Sequence, residues 1–83
     1  MEAGRHGQDI IAKSRSTLAA WDWMSTLSRR PEEVLRLLQD EVHTLETLAL
    51  ESPRNAPAAA QLIAAYLELT AKVRQRADQR HAA

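Results

Sequence analysis

The chain has no cysteine and no phenylalanine, and its only two glycines lie within the first seven residues. Without cysteine there is neither a disulfide staple nor a thiolate metal site, so the 83 residues must be held by packing alone. A domain this small buries a modest fraction of its surface, which predicts that oligomerisation or a partner supplies the rest. Lacking phenylalanine, the core has to come from Leu, Ile, Val, Ala and the two tryptophans. After Gly7 no glycine-rich turn exists to cradle a phosphate or shape an oxyanion hole. No apolar run approaches the roughly 20 residues needed to cross a bilayer, and residues 1–8 contain no hydrophobic stretch suited to a signal peptide. The expectation is a cytoplasmic protein without a membrane role. Nine arginines against two lysines, with abundant alanine, point to a GC-rich bacterial or phage genome.

The formal net charge is zero, but the charges are segregated. Residues 1–30 carry five basic and three acidic side chains (+2), residues 31–52 one basic and six acidic (−5), and residues 53–83 five basic and two acidic (+3). An acidic middle flanked by basic ends suits helices that lie side by side. Exposed ion pairs stabilise little, typically under about 1 kcal/mol, but they select which faces and orientations pair.

What is patterned is helical. Apolar residues recur every three or four positions on both sides of a Ser-Pro-Arg-Asn-Ala-Pro break at 52–57. Residues 1–8 read as a disordered tail, with nothing to bury. From Asp9, a candidate N-cap, a first helix is expected to about residue 28. Ile10, Ile11, Ser14, Leu18, Trp21 and Met24 share its inner side. Trp21 and Trp23 lie about 200° apart around the axis, so one regular helix cannot bury both. Trp21 is therefore assigned to the core. Trp23 and Leu27 are assigned to a partner surface, because buried tryptophans dominate binding hot spots.

Pro31, tolerated in a first helical turn, and Glu32 and Glu33 at the positive end of the dipole open a second helix over about 31–51. Its stripe is Val34, Leu35, Leu38, Val42, Leu45, Leu48 and Ala49, with Glu41 beside it, close to a heptad seam. Leu37 and Leu50 fall off the stripe. Pro53 pushes Ser52 out of the α region and ends the helix. A third helix is expected over about 56–80, with Asn55 as its N-cap. Ala59, Leu62, Tyr66, Leu69, Val73 and Ala77 form its seam, widened by Ile63 and Leu67. Residues 81–83 read as a frayed end. No segment alternates with period two, so no strand is expected.

The short break predicts an antiparallel hairpin. The whole is an all-α single domain over 9–80: a hairpin plus an N-terminal helix, forming a small three-helix bundle or a dimeric helical bundle. The apolar faces of the second and third helices are wider than one seam consumes. That predicts a non-catalytic protein-binding module acting by helix–helix packing, in the manner of small regulators, anti-activators, chaperones or adaptors. A homodimer is the expected assembly. Trp23, Leu27, Ile63 and Leu67 are the expected partner contacts, and no cofactor is implied.

Asp40 and His43, three apart with Glu46 a turn further, could ligate a metal only with carboxylates on a facing helix. The third helix offers Glu68 and Asp78, both off its seam, so a solvated polar face is expected instead. The rival class is a nucleic-acid-associated oligomer of phage or plasmid type, with Arg74, Arg76 and Arg80 contacting phosphate. Arg29 and Arg30 precede the most acidic helix of the chain, the wrong sign for a helix entering a groove of DNA.

Overall fold

Pro31 begins a helix that needs no donor from its first residue, and the carboxylates of Glu32 and Glu33 sit in its first turn. In the computed structural model this helix and two others account for nearly everything described, namely residues 2–26 and 30–82, with side chains for 7–26 and 30–79. Helix α1 spans Glu2–Met24, α2 Pro31–Glu51 and α3 Ala56–Ala82. A single 3-10 turn, Pro53–Asn55, joins α2 to α3, and no strand occurs among the described residues. The fold is all-α, as the periodicity predicts.

The corner at 52–55 follows from its two constraints. Pro53 forces Ser52 into extended backbone (φ −134°, ψ 90°), while the Ser52 N–H still donates to the Leu48 carbonyl at 2.8 Å and closes the last turn. Asn55 is buried, and its amide Nδ2 donates to Ser52 Oγ at 2.8 Å. The chain reverses there, and α3 runs antiparallel along α2. Val34, Leu38, Leu45 and Leu48 of α2 meet Ala59, Leu62, Tyr66, Leu69 and Val73 of α3, the seams expected from the 4,3 spacing. Leu38, Leu45 and Tyr66 are fully buried.

Helix α1 lies along one side of this hairpin, tied at three levels. Near the corner, Gly7 is buried so closely that a Cβ there would collide with Asn55 Nδ2 and stand 3.4 Å from Leu48 Cδ1. Midway, Tyr66 donates its hydroxyl proton to the Ser14 carbonyl at 2.6 Å, and Ser14 Oγ donates to Glu41 Oε2 at 3.1 Å. At the far end, Arg76 Nη1 donates to Ser25 Oγ at 3.5 Å. Helix α1 therefore runs parallel to α3 and antiparallel to α2. Ile11 joins the core, and Ile10, Leu18 and Trp21 pack against it.

Two boundaries differ from the sequence reading. The first helix begins at Glu2, not at Asp9, so Asp9 is an exposed residue within it and not its N-cap. The stripe Gly7, Ile11, Ser14, Leu18, Trp21, Ser25 keeps 4,3 spacing, but its first member has no side chain to register in a hydropathy pattern. The helix ends at Met24, where Ser25 and Thr26 form a turn with Thr26 Oγ1 donating to the Trp23 carbonyl at 2.7 Å. Leu27 lies outside the described residues.

Candidate docking face

The hairpin has two long sides, and α1 covers one of them. On the uncovered side a second pair of stripes runs along the helices. Leu35, Val42 and Ala49 on α2 recur every seven residues, as do Ile63, Thr70 and Ala77 on α3. All six are half-buried. They fall beside the main seams because a seven-residue step advances nearly two turns and returns to almost the same azimuth. Thr70 can sit among apolar neighbours, since its hydroxyl is satisfied within the helix by donating to the Tyr66 carbonyl at 2.8 Å.

An open groove of about 760 Å³ runs between these stripes, bounded by Leu35, Val42, Leu67 and Ala71 among others. Leu67, 54 % exposed, stands on its wall. The α2 bank carries Glu32, Asp40 and Glu46 against Arg36, and the α3 bank carries Arg74. Among the described residues no ion pair joins α2 to α3. Arg30 and Glu33, both exposed and 3.5 Å apart, form a pair at the α2 N-terminus. The charge segregation seen in the sequence is thus present on the two helices, and no ion pair among the described residues consumes it between them.

Of the expected partner contacts, Trp23, Ile63 and Leu67 have a definite place. Ile63 is half-buried and Leu67 exposed on the groove side. Trp23 is 68 % exposed on α1, whose inner side meets α3 at Leu69 and Ala65, away from the groove. The structure therefore brings Ile63 and Leu67 together and leaves Trp23 apart. Arg74 lines the groove, whereas Arg76 is half-buried and turned toward α1, where it holds Ser25. The side chain of Arg80 lies outside those described. Asp40, His43 and Glu46 are all exposed, and among the described residues no three of His, Asp or Glu converge to hold a metal ion.

The most chemically distinctive cluster is interior. Ser14 (2 % exposed), Glu41 and Tyr66 meet where the three helices touch, and burial followed by the nearby Glu41 carboxylate pushes the Tyr66 phenol up to about 12. Every described buried side-chain polar atom has a partner. These three line neither the groove nor the smaller depressions beside α1, so the cluster orients α1 and offers no access to a substrate from those surfaces.

No family model, curated protein or solved structure matches this chain. Among the described residues no helix is long and apolar enough to cross a membrane.

Sequence reasoning placed Leu35 and Val42 on the core stripe and Ile63 among the partner contacts, and it passed over Thr70 and Ala71. The heptad step shared by 35/42/49 and 63/70/77 was the available signal. It is diluted by alanine and threonine, which score weakly in any hydropathy pattern.

Proposed function

We propose that this protein is a non-catalytic helical binding module, which engages a protein partner through the uncovered side of the α2/α3 hairpin. The observation that supports this reading is the paired period-seven stripes, half-buried along a face that α1 leaves open. Such a face accepts helices whose own apolar residues recur at the same spacing. The nucleic-acid reading needs an arginine cluster on one surface, and Arg74 and Arg76 turn to opposite sides of α3.

The absence of cysteine makes a clean test available. The purified Leu67→Cys variant, labelled at its single thiol with a photo-cross-linker and added to a lysate of its native cell, should link to protein. The same label at Lys72, exposed on the side of α3 next to α1 and outside the groove lining, should not. Equal labelling from both positions, or none from Leu67→Cys, would sink the reading.

A further inference from the structure

We propose that the occupant of this face is a second copy of the chain, related by a two-fold axis parallel to the hairpin, so that α2 of each copy lies against α3 of the other. The inference rests on the docking reading above and deepens it by naming the partner. Three observations carry it.

The first is periodicity. The face presents two parallel stripes with the same seven-residue repeat, Leu35, Val42 and Ala49 beside Ile63, Thr70 and Ala77. A single docking helix would engage one groove between them. A second two-helix face of identical pitch engages both stripes at once and closes a four-helix core.

The second is charge. Two hairpins can meet face to face around a two-fold axis in two ways. An axis across the helices lays α2 antiparallel on α2 and so sets two banks of the same net negative charge together. An axis along the helices lays α2 on α3, antiparallel, and sets the acidic bank against the bank that carries Arg74. Counting outward from the 52–55 corner, Glu32 lies about level with Arg74. The second arrangement therefore places Glu32 opposite the partner's Arg74 twice, once at each side of the axis. Charge complementarity at a rim chooses orientation more than it sets affinity, and this orientation is the one that opposes banks of opposite net charge.

The third is area and closure. Helix α2 gives the face a length of roughly 31 Å, and the molecule is 18 Å across. Two such faces bury on the order of 1,100 Å², close to the roughly 1,000 Å² that a biological interface should clear. The contact uses one patch on both copies and so closes on itself, leaving α1 undisturbed on the outside.

The test uses the full chain. Light scattering of the purified protein should give about twice 9.3 kDa. Arg74→Glu alone and Glu32→Arg alone each turn both symmetric contacts repulsive and should raise the dimer dissociation constant about tenfold. An equimolar mixture of the two variants restores both contacts in the mixed dimer. There the glutamate introduced at position 74 of one chain meets the arginine introduced at position 32 of the other, and the unaltered Glu32 and Arg74 meet at the second contact. The mixture should recover near wild-type dissociation. Both positions are exposed, and unchanged circular dichroism confirms that the variants fold. A wild-type chain that stays monomeric at high concentration overturns the second-copy proposal. If Leu67→Cys still cross-links to a different protein, the docking reading survives that failure; without any cross-link both fall. A dimer indifferent to the charge variants, or not rescued by mixing, overturns the arrangement of α2 on α3.

Discussion

Tyr66 keeps its proton because burial disfavours the phenolate and the nearby Glu41 carboxylate disfavours a second negative charge, while its hydroxyl donates to the Ser14 carbonyl. Unfolded, the phenol titrates near 10; in the bundle, near 12. Between those values the unfolded chain releases a proton that the native chain retains. Stability from this group is thus intact below pH 10 and falls through pH 10–12, by roughly 2–3 kcal/mol in all. As the chain has one tyrosine, phenolate absorbance should follow unfolding in that window. In Tyr66→Phe the baseline should drop by about 1 kcal/mol for the lost hydrogen bond, and the alkaline loss should vanish. A phenol titrating near 10 in the folded protein would refute this account. The tryptophans divide the same way. Trp21→Ala removes a side chain packed on the core and should lower stability by about 2–4 kcal/mol. Trp23→Ala removes one that is 68 % exposed and should leave the melting curve within about 0.5 kcal/mol.

At the scale of elements, α2 and α3 stabilise one another through side chains that exclude water completely. Leu38→Ala or Leu45→Ala should cost about 2–5 kcal/mol, a large part of the stability of a domain this size. Leu50→Ala, at a site 86 % exposed, should be nearly silent in urea titration. Helix α1 depends on a different device. Gly7→Ala would normally gain about 1 kcal/mol in helix propensity. Here the added carbon meets Asn55, which is itself held by Ser52, so the amide must leave its hydrogen bond or α1 must lift. The expected net effect is a loss of about 1 kcal/mol, with faster hydrogen exchange in residues 7–14 than in α2 and α3. A stabilised variant would show that α1 is not seated on the corner.

At the scale of the whole molecule, the rods are side by side in a body 53 Å long with a radius of gyration of 14.1 Å. Pairing along the hairpin axis thickens this body without lengthening it. Small-angle scattering of the dimer should show doubled mass with a maximum dimension little changed from the single chain. An end-to-end dimer would nearly double that dimension and exclude the proposed face.

Much of this was legible in the chain. Period and punctuation determined the helical class, the start at Pro31, the stop before Pro53 and the seams from Val34 to Leu48 and from Ala59 to Val73. Each of these is a local consequence of backbone chemistry and side-chain spacing, and local terms are written directly in sequence. The corner's use of Gly7, the Ser14–Glu41–Tyr66 cluster, and which of Arg74 and Arg76 meets α1 were decided only by tertiary structure. Each depends on which side of the hairpin α1 occupies, and no residue of α1 taken alone encodes that choice. The open face has the same origin. The sequence shows two helices with broad apolar stripes, whereas the packing decides which half of that breadth α1 covers and which half is left for a partner.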